Sequence, residues 1–181
     1  INRRLIDNCS NYLFTPTINC SKNLSNESCL GKIFNAGDTM FDVFLKYKKL
    51  LETKKSRQNF VLMTIHRRQN ILDKVKLKKI IDLANFISKQ GFKIIFPIHP
   101  RTKKRLHEFG LYKKLLENKN IHLLNSLGYF DILELMKNCN FIITDSGGLQ
   151  EEATSPIIRK KVLVVRKTTD RPEAVESKLA Q

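Results

Sequence analysis

Short apolar runs rich in β-branched residues alternate along this chain with longer stretches in which apolar positions recur every three or four residues. The runs that read as strands are Lys32 to Ala36, Phe60 to Thr64, Lys93 to Pro97, Ile121 to Leu124, Phe141 to Thr144 and Val162 to Val165. Each is short and apolar nearly throughout, as a strand covered on both faces must be. Between them lie amphipathic patterns such as Val75 to Gln90, where Val75, Ile80, Ile81, Leu83, Ala84 and Ile87 are expected on one side and lysines on the other. This alternation predicts an α/β architecture, a Rossmann-like doubly wound parallel sheet with crossover helices. The polar, lysine-rich segment Leu51 to Asn59 reads as a surface connection. Residues before about Gly31 do not fit the repeat and read as the tail of something upstream, with the sheet-bearing domain expected over residues 31–181.

With 181 residues, 41% of them apolar, the chain is long enough for one domain with a proper core and too short for two full ones. No run approaches the roughly 20 apolar residues of a membrane span, and the start Ile1-Asn2-Arg3-Arg4 lacks the apolar centre of a signal peptide. A soluble, cytoplasmic protein with no membrane partner is expected. Cys9, Cys20, Cys29 and Cys139 form no CxxC pair and have no histidine at metal-ligand spacing, so buried free thiols are expected and no metal site. The net charge of +16 raises the question of nucleic acid. The lysines are spread over positions that read as solvated helix faces, and no aromatic residues interleave with them as a base-stacking surface would require. No specific nucleic-acid partner is expected.

Ligands of open parallel sheets bind at the carboxyl ends of the strands, and three of the predicted strands end in unusual chemistry. Phe60 to Thr64 runs into Ile65-His66-Arg67-Arg68, Lys93 to Pro97 into Ile98-His99-Pro100-Arg101, and Phe141 to Thr144 into Asp145-Ser146-Gly147-Gly148. In the last of these a strand breaks into a small-residue turn and restarts as a helix. Gly147 and Gly148 let backbone N–H groups approach a ligand, Ser146 offers a hydroxyl, and the helix presents its positive end, a combination suited to a diphosphate. An ordinary turn with an Asp or Ser helix cap has the same local sequence. Glu152, further into that helix, could accept hydrogen bonds from sugar hydroxyls. His66, flanked by arginines, is suited to contact an anion or to move a proton near neutral pH, although a satisfied structural histidine fits the same place. His99 carries the same two readings, while His107 and His122 read as structural. The closing cluster, Arg166 to Ala174, follows the final strand and begins a helix with Pro172 near its first turn. Arg171 there is placed to grip a phosphate on the same rim, or to pair with Asp170 or Glu173 on the surface.

These motifs, in this order and at these separations, resemble the non-hydrolysing UDP-N-acetylglucosamine 2-epimerases, whose pattern reads approximately THRxEN, PxHP, TDSGGxQEE and RxxTERPEA. The matching text is Thr64 to Asn70, Pro97 to Pro100, Thr144 to Glu152 and Arg166 to Ala174. The resemblance implies the second, carboxyl-terminal domain of a GT-B-like two-domain epimerase, preceded in the family by an amino-terminal Rossmann-like domain. It implies a homodimer acting on a UDP-sugar without any cofactor. The family eliminates UDP to leave 2-acetamidoglucal and then returns UDP with the opposite configuration at carbon 2. By matching position, the resemblance makes His66 a catalytic and UDP-contacting residue. Ser146, Gly147 and Gly148 become the diphosphate turn, and Glu152 and Arg171 further UDP-sugar contacts. Arg67 and His99 match residues that hold a second, activating UDP-sugar in bacterial members. Gln69 and Asp170 stand where the family has Glu, Lys178 where a glycine is usual, and Leu127 and Ile132 where some members contact uridine. The acidic residues that handle the proton at carbon 2 belong to the family's other domain, so this piece alone is expected to be inactive. A related UDP-diacetamido sugar as substrate, or a UDP-binding module without turnover, are the alternatives.

Overall fold

The computed structural model describes residues 2–47, 59–166 and 179, and the chain divides into two compact units, residues 1–48 and 49–181. In the first unit helix α1 (Asn2–Cys9) precedes strand β1 (Tyr12–Thr15), helix α2 (Ile18–Asn26), strand β2 (Lys32–Asn35) and helix α3 (Thr39–Lys46). β1 and β2 pair in parallel, with Phe14 opposite Phe34, and α2 is the crossover between them. Thr17 caps α2 by accepting a hydrogen bond from the Cys20 backbone N–H, 3.2 Å. Gly31 is required at the entry to β2, because a Cβ there would run into the Ser10 carbonyl oxygen.

This pairing corrects one expectation. The strand anticipated at Lys32 to Ala36 forms, but it joins β1 in a two-stranded sheet and takes no part in the larger one. Its own residues favour extended backbone and do not say which strand it will meet. The boundary expected near residue 30 accordingly falls within the first unit.

The second unit holds five parallel strands: β3 (Phe60–Thr64), β4 (Lys93–Pro97), β5 (Ile121–Leu124), β6 (Phe141–Thr144) and β7 (Lys161–Val164). Their spatial order is β5-β4-β3-β6-β7. The chain builds outwards from β3 to β5, returns across the sheet to lay β6 on the other side of β3, and continues to β7. The direction of winding therefore reverses between β3 and β6, and a crevice at the carboxyl ends of those two strands is where such a sheet binds ligands. All five residues of β3 are buried, as befits the central strand.

Helix α4 (Arg68–Ile71) is a single turn, and α5 (Lys74–Lys89) is the long crossover to β4. Leu77, Ile80, Ile81, Ala84 and Ile87 form its buried face. Val75, expected in that face, is 63% exposed, because it lies on the side of the helix opposite Leu77. Helices α6 (Pro100–Glu108), α7 (Tyr112–Leu116), α8 (Tyr129–Asn138) and α9 (Gly147–Thr154) complete the layers. The core gathers Val61, Met63, Ile81, Ile94, Phe96, Leu106, Leu115 and Ile143 among others. Of the cysteines only Cys139 is buried, and burial pushes its thiol up to about 11, whereas Cys9 is exposed and Cys20 and Cys29 are half-buried. The expectation of four buried thiols is thus corrected, since the other three lie in the small first unit, which has little interior to offer. Most of the connection expected over Leu51 to Asn59, and most of the cluster from Arg166 to Ala174, lie outside the described residues.

Candidate active site

At the switch point, the last residues of β3 and β6 stand side by side, Thr64 beside Thr144, and their buried hydroxyls are 2.7 Å apart. The backbone N–H of Ser146 donates to the Thr144 hydroxyl, 3.0 Å, so the two threonines brace the start of the next turn. Ser146 is the N-cap of α9, its hydroxyl 3.5 Å from the Leu149 backbone N–H. Gly147 and Gly148 open the helix with their backbone N–H groups at its positive end. Among the described residues a Cβ at Gly148 would meet nothing within 4 Å, so their packing does not demand glycine there.

Between Thr144 and Ser146, the wholly buried Asp145 turns its carboxylate toward the loop after β3. Its Oδ1 accepts from the His66 backbone N–H at 3.1 Å, and its Oδ2 accepts from the Arg67 backbone N–H at 2.9 Å and the Asn70 side-chain amide at 3.0 Å. The His66 ring Nδ1 lies 3.4 Å from Oδ1. Arg67 returns a bond from Nε to the Asp145 carbonyl, 3.3 Å. Asn70 also donates to the carbonyl of Val165 just beyond β7, 2.9 Å. One carboxylate and one amide thus tie together the ends of β3, β6 and β7. On the other flank, Thr102 of α6 donates to the Ile65 carbonyl, 2.6 Å, fixing the residue before His66 from beneath.

His99 follows β4 and caps α6, its Nδ1 accepting from the Arg101 backbone N–H at 3.1 Å. Its ring lies 6.1 Å from that of His66, centroid to centroid. The His66 side chain is 37% exposed, open enough to meet a ligand. Burial lowers its imidazole below the usual histidine range; the Asp145 carboxylate pulls the other way, and Arg67, His99 and Arg101 add to the lowering. The neutral ring is thereby favoured, a base that can take up a proton and then return it.

Glu152, in the second turn of α9, is 7% exposed and accepts a hydrogen bond from the Tyr129 hydroxyl at the start of α8, 3.0 Å. Leu127 and Ile132, on either side of Tyr129 in sequence, are half-buried. Of the residues expected to form the site, His66, Arg67 and Ser146 converge around Asp145, and His99 adjoins His66. Gly147, Gly148 and Glu152 extend the same rim along α9. Arg171 lies outside the described residues.

Three participants escaped the reading of the sequence. Asp145 passed as a turn or cap residue, although an aspartate wedged between a buried strand and a helix cap was itself a signal that its carboxylate needs donors. Asn70 and Tyr129 carried no such signal, because the groups they meet are 75 and 23 residues away in the chain. Among the described residues no group of three or more metal-ligating side chains assembles, and no helix is long and apolar enough to cross a membrane.

A family model described as UDP-N-acetylglucosamine 2-epimerase matches residues 1–180. The UDP-N-acetylglucosamine 2-epimerase of Methanocaldococcus jannaschii is 42% identical over 188 residues, covering 97% of this chain and 51% of the relative. A crystal structure of the M. jannaschii UDP-GlcNAc 2-epimerase in complex with UDP-GlcNAc and UDP superposes with a TM-score of 0.88 at 41% identity, covering 97% of this chain and 51% of that one. The UDP-2,3-diacetamido-2,3-dideoxy-D-glucuronate 2-epimerase of Pseudomonas aeruginosa is 35% identical over 159 residues, 84% of this chain and 43% of its own. The chain spans about half the length of the curated relatives it matches.

Proposed function

The chain belongs to the UDP-N-acetylglucosamine 2-epimerase family, and from that premise we propose that it supplies the UDP-binding half of an enzyme interconverting UDP-N-acetylglucosamine and UDP-N-acetylmannosamine. The observation that carries the reading is the pairing of a half-open His66, its backbone held by Asp145, with the Ser146-Gly147-Gly148 helix start at the switch point. The helix start offers N–H groups to a diphosphate, and His66 offers a ring nitrogen beside it. In this reading UDP leaves carbon 1 as carbon 2 loses its proton, and UDP then returns to carbon 1 as a proton is delivered to the opposite face of carbon 2. His66 assists the departure of the diphosphate. Gly148 supplies room for the diphosphate against the backbone. Glu152 holds hydroxyls of the nucleotide-sugar, and Arg171 grips the diphosphate.

The first unit serves as the end of an amino-terminal domain that furnishes the carbon-2 acid and base, and the second unit keeps hold of UDP. Arg67 and His99 offer an adjoining place for a second, activating UDP-sugar. The working protein is a cytoplasmic homodimer with no cofactor. The relative from P. aeruginosa makes a UDP-diacetamido uronic acid the second substrate to assay.

Turnover and substrate affinity of His66→Ala and Arg171→Ala, measured side by side in the full-length protein, test the proposal. Arg171→Ala removes a charge-assisted contact worth roughly 1.5 to 3 kcal/mol, so UDP-sugar affinity falls by about one to two decades and UDP and 2-acetamidoglucal escape. His66→Ala lowers turnover on the order of 10²-fold or more with a smaller change in binding. Wild-type kinetics in both variants would remove this rim from the active site and the function with it. The 181-residue piece alone should bind UDP weakly and exchange no deuterium at carbon 2.

A further inference from the structure

Resting on that reading of His66, we propose that Asp145 is its positioning residue, orienting the ring and holding the ring proton on Nδ1 so that Nε2 is the nitrogen that meets the substrate. Among the described residues, every hydrogen bond to the Asp145 carboxylate comes from a donor in the segment that follows β3. Oδ1 receives the His66 N–H at 3.1 Å and stands 3.4 Å from His66 Nδ1, while Oδ2 receives the Arg67 N–H and the Asn70 amide. The Asn70 amide cannot be turned around, because its nitrogen also donates to the Val165 carbonyl, and an oxygen in its place would face two acceptors. Nor can the ring present a bare Nδ1, which would set a lone pair against the carboxylate oxygen. The neutral imidazole therefore carries its proton on Nδ1, and Nε2, on the far side of the ring, is the lone-pair nitrogen that takes up a second proton and, so protonated, donates to the departing diphosphate, the charged form being the one Asp145 favours.

The carboxylate is wholly buried, so water does not compete for its oxygens or screen its charge from the ring. It holds the His66 backbone and lies 3.4 Å from the ring Nδ1, which sets where the ring begins and what its Nδ1 side faces. The charged and titratable groups around His66 are Asp145 from the end of β6, Arg67 from its own loop, and His99 and Arg101 from the end of β4 and the start of α6. Of these only Asp145 favours the protonated ring. An uncharged amide in its place removes that influence and leaves the opposing ones, so the ring must become harder to protonate.

Asp145→Asn and His66→Gln in the full-length protein supply the test, with the histidine ring nitrogens followed by NMR against pH. His66 is identified by the signal that His66→Gln loses. In the wild type the neutral His66 ring is expected with its proton on Nδ1. In Asp145→Asn that preference is lost and the titration midpoint moves to lower pH. The limb of the turnover profile that reports His66 moves the same way, and kcat falls on the order of 10²-fold with little change in KM. A neutral wild-type ring protonated on Nε2 would overturn the proposal, as would a folded Asp145→Asn protein with unchanged midpoint and kcat. Should Asp145→Asn fail to fold, the wild-type ring decides the matter. A wild-type protein protonated on Nδ1 but without epimerase activity would refute the function proposed above and still support the ring geometry assigned here.

Discussion

The Glu152 carboxyl and the Tyr129 hydroxyl bond across the interior, and each alters the other's hold on its proton. Burial raises Glu152 above the usual glutamate range, and the bond from Tyr129 partly offsets this. Burial and the nearby carboxylate push Tyr129 up to about 12. A carboxyl raised on folding binds its proton more tightly in the native state. Its contribution to stability is fully present below the unfolded pKa and is lost as pH rises through the folded one. Glu152 therefore works against the fold at pH 7. Glu152→Gln keeps the shape and an acceptor for Tyr129 without a charge to desolvate, so Tm should rise at pH 7 and be unchanged near about pH 4. Thermal scans at the two pH values check this. A Tm at pH 7 below the wild type would show that the carboxylate is stabilised by more than the tyrosine.

Helix α5 depends on its cap and on one packed face, in different degrees. Asp73 accepts from the backbone N–H groups of Val75, 2.9 Å, and Lys76, 3.1 Å, satisfying two of the donors a helix leaves free at its start. The bond from Lys76 holds the Asp73 carboxyl below the usual aspartate range. A carboxyl lowered on folding stabilises above its unfolded pKa and loses that contribution as pH falls through the folded one. Leu77, on the opposite kind of duty, is wholly buried against the sheet. Leu77→Ala should cost about 2–5 kcal/mol at any pH, since it leaves a cavity. Asp73→Ala should cost less, and only above the acidic range. Denaturant titrations of both variants at neutral and acidic pH distinguish them, and an Asp73→Ala loss that persisted in acid would contradict the capping account.

For the molecule as a whole, the +16 charge is carried largely on exposed lysines such as Lys74, Lys76, Lys78 and Lys79 along α5 and Lys113 and Lys114 on α7. Charge of this kind attracts any polyanion by releasing its counterions and reads no bases. DNA binding should therefore show no sequence preference and should fall roughly 10³-fold between about 50 and 200 mM salt if about six phosphates are engaged. UDP binding should instead depend on Ser146, Gly148 and Arg171. Fluorescence titrations with DNA of differing sequence at both salt concentrations supply the check. Salt-resistant, sequence-selective binding would reverse the ranking of nucleotide-sugar over nucleic acid.

The sequence by itself determined where the inner strands lie. Phe60–Thr64, Lys93–Pro97 and Phe141–Thr144 form where the apolar runs are, because an inner strand of such a sheet is largely covered and must be largely apolar. The order of motifs also sufficed to identify the family, and the strand-end rule located His66, His99 and the Ser146-Gly147-Gly148 turn on one rim. Only the tertiary structure decided which strands pair. β2 is extended as expected, yet it joins β1, since an apolar run records that a strand will be covered and not by what. It also decided that Asp145 organises the site. The donors that meet its carboxylate lie between 75 and 79 residues away, and they reach it because β3 and β6 become neighbours at the point where the winding reverses. A buried carboxylate is stable only where such donors converge, and that convergence is a property of the assembled sheet.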